Sequence, residues 1–450
     1  MEKELQDFLL AIEMRHENVC QKEHMVPMRK YILHSAILLA FLLFWILPVM
    51  VQAQSYTNSY GIWTYTTTND TITITEYSGP GGDVTIPDRI PGTTNGLPVT
   101  SIGDFAFYFN TSISSLTIPD SVITIGYVAF YECWNLSSVK IGNKVTSIGD
   151  QAFGFCFKLT AITVDTQNFF FSSLDGVLFD KNQTTLIQFP CGKAGACIVP
   201  NSITNILPYA FSYCGFLTSV TITQGVNIIG PSTFYDCDSL TNVTVVGAGV
   251  TAIGDSAFYG CNNLASARIG TNLTSIGVSS FGDCNSLMSI TLPSGLTSIG
   301  EYAFSNSGLT NVVIPDTVTN IDTQAFIYCF SLTNVFFKGN APSFGADVFS
   351  VDNNTTAYYL PRTTGWPIAS LGVSQVLWDP EMQAAGVQNN QFGFNITGTT
   401  NIPIVVEAST NLQGASWTAL QTCTVTNGTI YFSDSTWSNY PARFYRIRSP

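Results

Sequence analysis

Residues 253–277 read IGDSAFYGCNNLASARIGTNLTSIG and begin and end on the same pair, Ile253-Gly254 and Ile276-Gly277. Between the pairs lie Ala257-Phe258, Cys261, Leu264 and a short β-like run that ends at Ile269. The flanking sequence repeats this order. A phenylalanine occupies the slot of Phe258 at Phe107, Phe130, Phe153, Phe211, Phe234, Phe281, Phe304 and Phe326. With Phe258 counted, the steps are 23, 23, 58, 23, 24, 23, 23 and 22 residues. A fixed period of this size signals a solenoid, in which one unit cannot bury its own apolar face but stacked units share a continuous core. The long step fits two units plus an insertion of about 12 residues.

The consensus I-G-x-x-A-F-x-x-C-x-x-L-T-x-V-x-I-P closely resembles the BspA-like leucine-rich repeats, and the resemblance spans roughly residues 56–378. It implies a leucine-rich repeat solenoid, α/β or mostly β, with a parallel sheet on one face and irregular or short helical turns on the other. It also implies extracellular binding, without naming a ligand.

Within a unit, period-2 alternation turns Leu136, Val139 and Ile141 inward and leaves Ser138 and Lys140 outward. The Ala-Phe segment is expected to make one short helical turn, with Phe in the core. Stacking then lines up outward pairs, from Ser115/Thr117 to Asn311/Val313 and Asn334/Phe336, on one small, polar, nearly uncharged face. The candidate binding residues on it are Ser138, Lys140, Thr163, Thr221, Thr244, Arg268 and Thr291, with Trp134 beside it as an aromatic anchor. The competing reading is that Ser and Thr are what a solvent-facing strand tolerates.

The chain carries 17 basic and 30 acidic residues, a net charge of −13, and only 10% of its residues are charged. A nucleic-acid partner would require clustered Lys and Arg, and no such cluster follows residue 54. All three histidines, His16, His24 and His34, precede residue 54. Removal of the leader would leave a chain without Ser-His-Asp or Cys-His catalysis and without His-ligated zinc. No catalytic, cofactor or metal motif is legible. The Asp104, Asp150 and Asp255 of the recurring Ile-Gly-Asp read as turn residues rather than paired carboxylates.

Residues 1–53 form a leader. Within it, about 29–53 reads as a signal peptide: Arg29-Lys30, then the apolar run Ile37 to Val51, then Val51-Gln52-Ala53 as the cleavage site before Gln54. A retained membrane anchor is the alternative, but Pro48 interrupts a run already short of the roughly 20 residues a span needs. Met25 or Met28 offers a conventional start, so 1–24 reads as a misassigned upstream start; otherwise the n-region is unusually long.

The remaining chain divides into an N-terminal β cap at 54–100, repeat block 1 at 101–164, a β-hairpin insert at 165–205, repeat block 2 at 206–342, a closing cap at 343–378 and a β-sandwich module at 379–450. In the insert, Gly176 to Asp180 and Thr184 to Phe189 read as two strands. The segment resembles the S-x-D-G-V-L-F-D-K insert of the repeat family, serving either as a splice between blocks or as a protruding recognition element. Cys191 and Cys197 flank a five-residue loop that an oxidising compartment would allow to close as a disulfide. Cys133, Cys156, Cys214, Cys237, Cys261, Cys284 and Cys329 share one repeat slot and read as a column of reduced, buried thiols. The last segment shows short strands separated by turns, the pattern of a small β-sandwich.

These readings point to a non-catalytic secreted or cell-surface protein, exported by its leader, that binds a protein partner or adheres through its repeats. Carbohydrate binding and structural self-association are the alternatives. Contact with a membrane is expected only through an uncleaved leader.

Overall fold

The computed structural model describes residues 53–448 except 94–95, 247–248, 351–353, 399–402, 413–415 and 427. The chain divides into Met1–Ala53 and Gln54–Pro450. The leader, its cleavage motif up to Gln52 and the three histidines lie outside the described residues.

Gln54–Pro450 contains a β-solenoid of about 12 turns with almost no helix, followed by an all-β region of antiparallel sheets. Each regular turn lays down two parallel strands. The first, such as Ser138–Ile141, pairs in register with Ile113–Ile118 behind it and Ala161–Val164 ahead. The second is a two-residue strand such as Ser275–Ile276, which ends on the Ile of Ile-Gly and pairs with Ala252–Ile253 and Ser298–Ile299. Backbone spacing explains the invariant-looking glycine that follows. A Cβ on Gly300 would come within 2.7 Å of the Gly277 backbone, and one on Gly277 within 2.8 Å of the Asp255 nitrogen. At these turns the stacked backbones approach too closely for a side chain, whereas Leu207 and Asp322 fill the same slot in two others.

The Ala-Phe segment is not a helical turn. Two residues before and two after each of the nine phenylalanines of the repeat slot, the backbone takes positive φ, as at Val128 and Glu132 around Phe130, or Ser279 and Asp283 around Phe281. This alternation points three N–H groups along the solenoid axis. Val128, Phe130 and Glu132 donate to the carbonyls of Asp150, Ala152 and Gly154 in the next turn at 3.1, 2.8 and 3.0 Å. A helix would spend those donors within its own turn; here they join neighbouring turns. The phenylalanines stack above one another, from 4.8 Å between the centroids of Phe107 and Phe130 to 5.5 Å between Phe281 and Phe304. Tyr77 and Trp63 close the column at its N-terminal end, with Tyr77 stacked 5.3 Å from Phe107.

The apolar core of the stacked turns has two parts, and the 165–205 segment joins them. It folds as a three-stranded meander, Phe171–Leu174, Val177–Asp180 and Thr185–Gln188, of which the first strand is additional to the two read from the sequence. Val177 and Phe179 enter the core of the later turns, while Leu178 between them enters the core of the earlier ones. Thr185–Gln188 then pairs in parallel with Asn205–Ile206, and Gly195–Ile198 with Leu217–Ile222, so both solenoid sheets restart inside this segment.

At the other end the turns continue beyond Pro342. Phe349 stacks 5.4 Å from Phe326, and Thr356–Tyr359 and Ser374–Leu377 extend the first sheet in parallel. Two three-stranded antiparallel sheets follow: Glu381–Gln388 with Gln391–Thr397 and Thr429–Asp434, and Thr418–Thr424 with Pro403–Ser409 and Phe444–Arg448.

Candidate functional site: the strand face and its flank

The first strands present alternate residues to solvent, but not on one unbroken sheet. Ser115, Ser138 and Ala161 align in one column and Thr117, Lys140 and Thr163 in the next. These belong to a four-stranded sheet that ends at Ala161–Val164. A second sheet begins at Gly195–Ile198 and aligns Ile198, Thr221, Thr244 and Arg268. Of the sequence-predicted residues, Ser138, Lys140 and Thr163 therefore form one patch and Thr221, Thr244 and Arg268 another, with the meander between them. Lys140, Thr163 and Arg268 are exposed; Ser138, Thr221 and Thr244 are half-buried. Thr163 donates its hydroxyl to the Val139 carbonyl at 3.1 Å and Thr244 donates to Asn242 Oδ1 at 3.0 Å.

Two expectations need correction. Thr291 is exposed but lies outside any strand: the second sheet ends at Ser266–Arg268 and the next begins at Asn311–Ile314. The outward column of that third sheet is not open either. Val313, Phe336, Tyr358 and Val376 stand in register, and they pack with Trp378 against Phe394, Ile396, Ile404 and Val406 of the C-terminal module. Apolar residues in a column that elsewhere holds Thr, Lys and Arg make this part of the face the module's seat.

Trp134 does not stand on the strand face. It sits immediately after Cys133, on the flank where the turn ladder meets the first strand, with Phe109 at 4.9 Å and Phe157 at 6.5 Å. Together with Phe157, Phe216, Asn135, Ser137, Lys158, Thr160 and Gly192 it lines a shallow groove of about 710 Å³. Sequence reading missed this groove. The column position after the ladder cysteine holds Trp134 and Phe157, then Gly192 and Gly215, then Asp238 and Asn262. The glycines leave a notch beside two aromatic walls.

The cysteine slot is structural. Each thiol is buried and donates to the carbonyl of the preceding turn's phenylalanine: Cys133 to Phe107 at 3.2 Å, Cys261 to Phe234 at 3.1 Å, Cys329 to Phe304 at 3.0 Å. Burial pushes the thiols of Cys156, Cys214, Cys237 and Cys284 well above the usual range. The Cys191–Cys197 bridge is not formed, and both are free thiols. Cys191 instead takes the ladder position of a degenerate turn. Phe189 stacks 4.9 Å from Phe211, and Cys191 Sγ donates to the Ser212 carbonyl at 3.4 Å. Cys197 lies half-buried on the following strand, and burial raises its thiol to about 11 against the opposing effect of Lys193. The turn aspartates serve the backbone: Asp104 and Asp255 accept from the nitrogens of Tyr127 and Val278 one turn ahead, at 2.8 and 2.9 Å.

Comparison with known proteins matches this geometry. The family model described as "BspA type Leucine rich repeat region" matches in 6 copies, over residues 94–193, 188–285 and 251–364. No curated protein matches the chain. Among solved structures, a leucine-rich repeat protein from Bacteroides ovatus is similar at 23% identity over 73% of this chain and 76% of that one, with a TM-score of 0.47. A leucine rich cell surface protein from Faecalibacterium prausnitzii is similar at 24% identity over 64% and 96%, with a TM-score of 0.33. The pneumococcal vaccine antigen PcpA is similar at 16% identity over 72% and 99%, with a TM-score of 0.42. With the family model covering more than half of the chain and its copies falling on the stacked turns, this protein belongs to the BspA-type leucine-rich repeat family.

Proposed function

We propose that this chain is an exported, non-catalytic surface protein that binds a protein partner through the open part of its strand face. The observation that supports this reading is the seat of the C-terminal module. On the last turns, the same outward column that carries Lys140 and Arg268 earlier in the array holds Val313, Phe336 and Tyr358, and a β-module packs there. The face is thus already used once, within the chain, as a surface for a folded domain. The patches around Lys140 and Arg268 have the same backbone geometry and, among the described residues, no such cover, and extended solenoid faces are binding surfaces by architecture. Export is inferred from the charged, apolar and small-residue order of 29–53.

The test is a photo-crosslinking residue placed at Lys140, at Arg268 and, as a control, at exposed Asn272 between the two strands of a turn, in the exported chain on intact cells. The same partner protein should be captured from both face positions and not from the control. Capture from Asn272 alone, or only from positions in the C-terminal module, would remove the strand face from the assignment. Hydrolase activity in the purified chain would overturn the class.

A further inference from the structure

The groove beside Trp134 is separate from the strand face, and we infer that it is a carbohydrate subsite selective for sugars that carry a carboxylate. Its shape follows from the repeat register. A Cβ on Gly192 would come within 2.6 Å of the Lys158 backbone, so that turn can carry no side chain in the column. A Cβ on Gly215 would meet nothing within 4 Å, so that turn opens to solvent. Neighbouring turns lie about 4.8 Å apart, so the one intervening turn, that of Gly192, sets the Phe157 wall and the turn of Phe216 about 10 Å apart. An aromatic contact needs about 3.5–4.0 Å on each side, so the gap accepts one flat ring-sized group.

The walls are braced rather than loose. Trp134 packs on Phe109 and Phe157 packs on Phe155, with centroids 4.9 and 5.9 Å apart. Trp134, Phe157 and Phe216 are nevertheless 40%, 38% and 55% exposed, so their outer surfaces are offered to a ligand.

The rim supplies polar groups whose partners are already fixed. Asn135 donates to the Thr111 carbonyl at 2.7 Å and accepts from Lys158 Nζ at 2.7 Å, which holds the ammonium over the groove. An ammonium has three donors, and this bond uses one. Ser137 and Thr160 spend their hydroxyl protons on the carbonyls of Ser114 and Ser137 at 2.8 and 3.2 Å, which leaves their oxygens as acceptors. The groove therefore offers apolar aromatic surface, ammonium donors and hydroxyl acceptors, the combination that orients a small ligand in a mostly apolar pocket. A sugar matches it with C–H faces for the rings and hydroxyls for Ser137 and Thr160. The charge decides the subclass: Lys158 is the one charged side chain lining the groove, in a chain of net charge −13. A carboxylate on the sugar complements it.

The experiment is calorimetric titration of the exported chain with a galacturonate tetramer and with sialyllactose, each alongside its methyl ester. At least one acid should bind, and its ester at least tenfold more weakly. Trp134→Ala and Phe216→Ala should each weaken the acid at least tenfold. Lys158→Gln should abolish the difference between acid and ester. Lys140→Ala, on the strand face, should leave sugar binding unchanged, so failure here and failure of the protein-binding reading are told apart. Binding of neither acid, binding that survives both aromatic substitutions, or an ester that binds as tightly as its acid would each overturn the proposal.

Discussion

The thiol of Cys237 donates to the carbonyl oxygen of Phe211, one turn earlier, at 3.0 Å, in a site with no solvent contact. The slot therefore asks for two properties together, small apolar volume and a donor. Ser307, which replaces cysteine in one turn, keeps the second and faces Cys329 Sγ at 3.3 Å. Cys237→Ser should therefore be tolerated better than Cys237→Ala, which is close to serine in volume but leaves the buried carbonyl without its side-chain partner. The expected gap is about 1 kcal/mol, read from urea unfolding of the two variants.

The same burial governs reactivity. Thiolate is the nucleophile, and burial holds the thiols of Cys156, Cys214, Cys237 and Cys284 well above the usual range. Native protein treated with iodoacetamide at pH 8 should be modified at Cys197 at most, and there slowly, because that thiol titrates near 11. Denaturant should expose the remaining thiols. Peptide mapping by mass spectrometry checks both points, and a bridge between any two ladder cysteines would contradict the packing described.

The seat of the C-terminal module can be opened from one side. Phe336 stacks 5.2 Å from Tyr358, and both are buried under the module. Phe336→Ser with Tyr358→Ser removes two aromatic contacts and should cost about 3–5 kcal/mol of docking. Limited proteolysis should then cut between Trp378 and Glu381, while the stacked turns up to Phe326 stay intact. Unchanged digestion would mean that the module is held elsewhere.

Acid should act first on that module. Burial alone would raise the Glu407 carboxyl, but hydrogen bonds from Arg448 and Arg446, both at 2.7 Å, outweigh it and hold the carboxyl below its usual range. A depressed carboxyl stabilises the fold fully above the unfolded value of about 4.3, and that contribution is lost as pH falls through the lower, folded value. Glu407→Gln should thus cost about 1–2 kcal/mol at pH 7, the modest figure reflecting guanidiniums that are 45% and 43% exposed. The cost should shrink as pH falls below the unfolded value and vanish below the lower, folded one, as thermal melts of the two proteins across pH would show.

Much of this architecture is legible in the spacing of Phe107 to Phe326, because a stacked core needs one large apolar group per turn at a fixed interval. The conformation of the turn is not legible. A phenylalanine beside an alanine fits a helical turn as well as a pair of left-handed residues, and only the forward hydrogen bonds separate the two. Phe189 escaped notice because Gln188 replaces the small residue before it. That glutamine is buried and donates to the carbonyls of Phe189 and Ala210 at 3.0 and 3.3 Å, doing by hydrogen bonding what alanine does by size. The groove stayed hidden for the same reason, since Gly192 joins the column of Trp134 and Phe157 only once Cys191 is placed in the ladder. Phe336 and Tyr358 did carry a signal: aromatic residues in a column of threonines mark covered surface.

The forward-pointing N–H groups of each phenylalanine turn have a consequence for how such a chain can change length. From Phe234 to Phe304 each turn offers three donors ahead and three carbonyls behind, so each of these turns is a coupling with the same plug and the same socket. Duplicating residues 254–276 in tandem would add one more such coupling without altering either neighbour. The lengthened protein should fold and melt no lower than its parent, since stability in these arrays sums over turns and their contacts. Within the array, the meander at 171–188, whose Leu178 faces one core while Val177 and Phe179 face the other, is a one-of-a-kind part. Growth and loss of turns can proceed on either side of it but not across it.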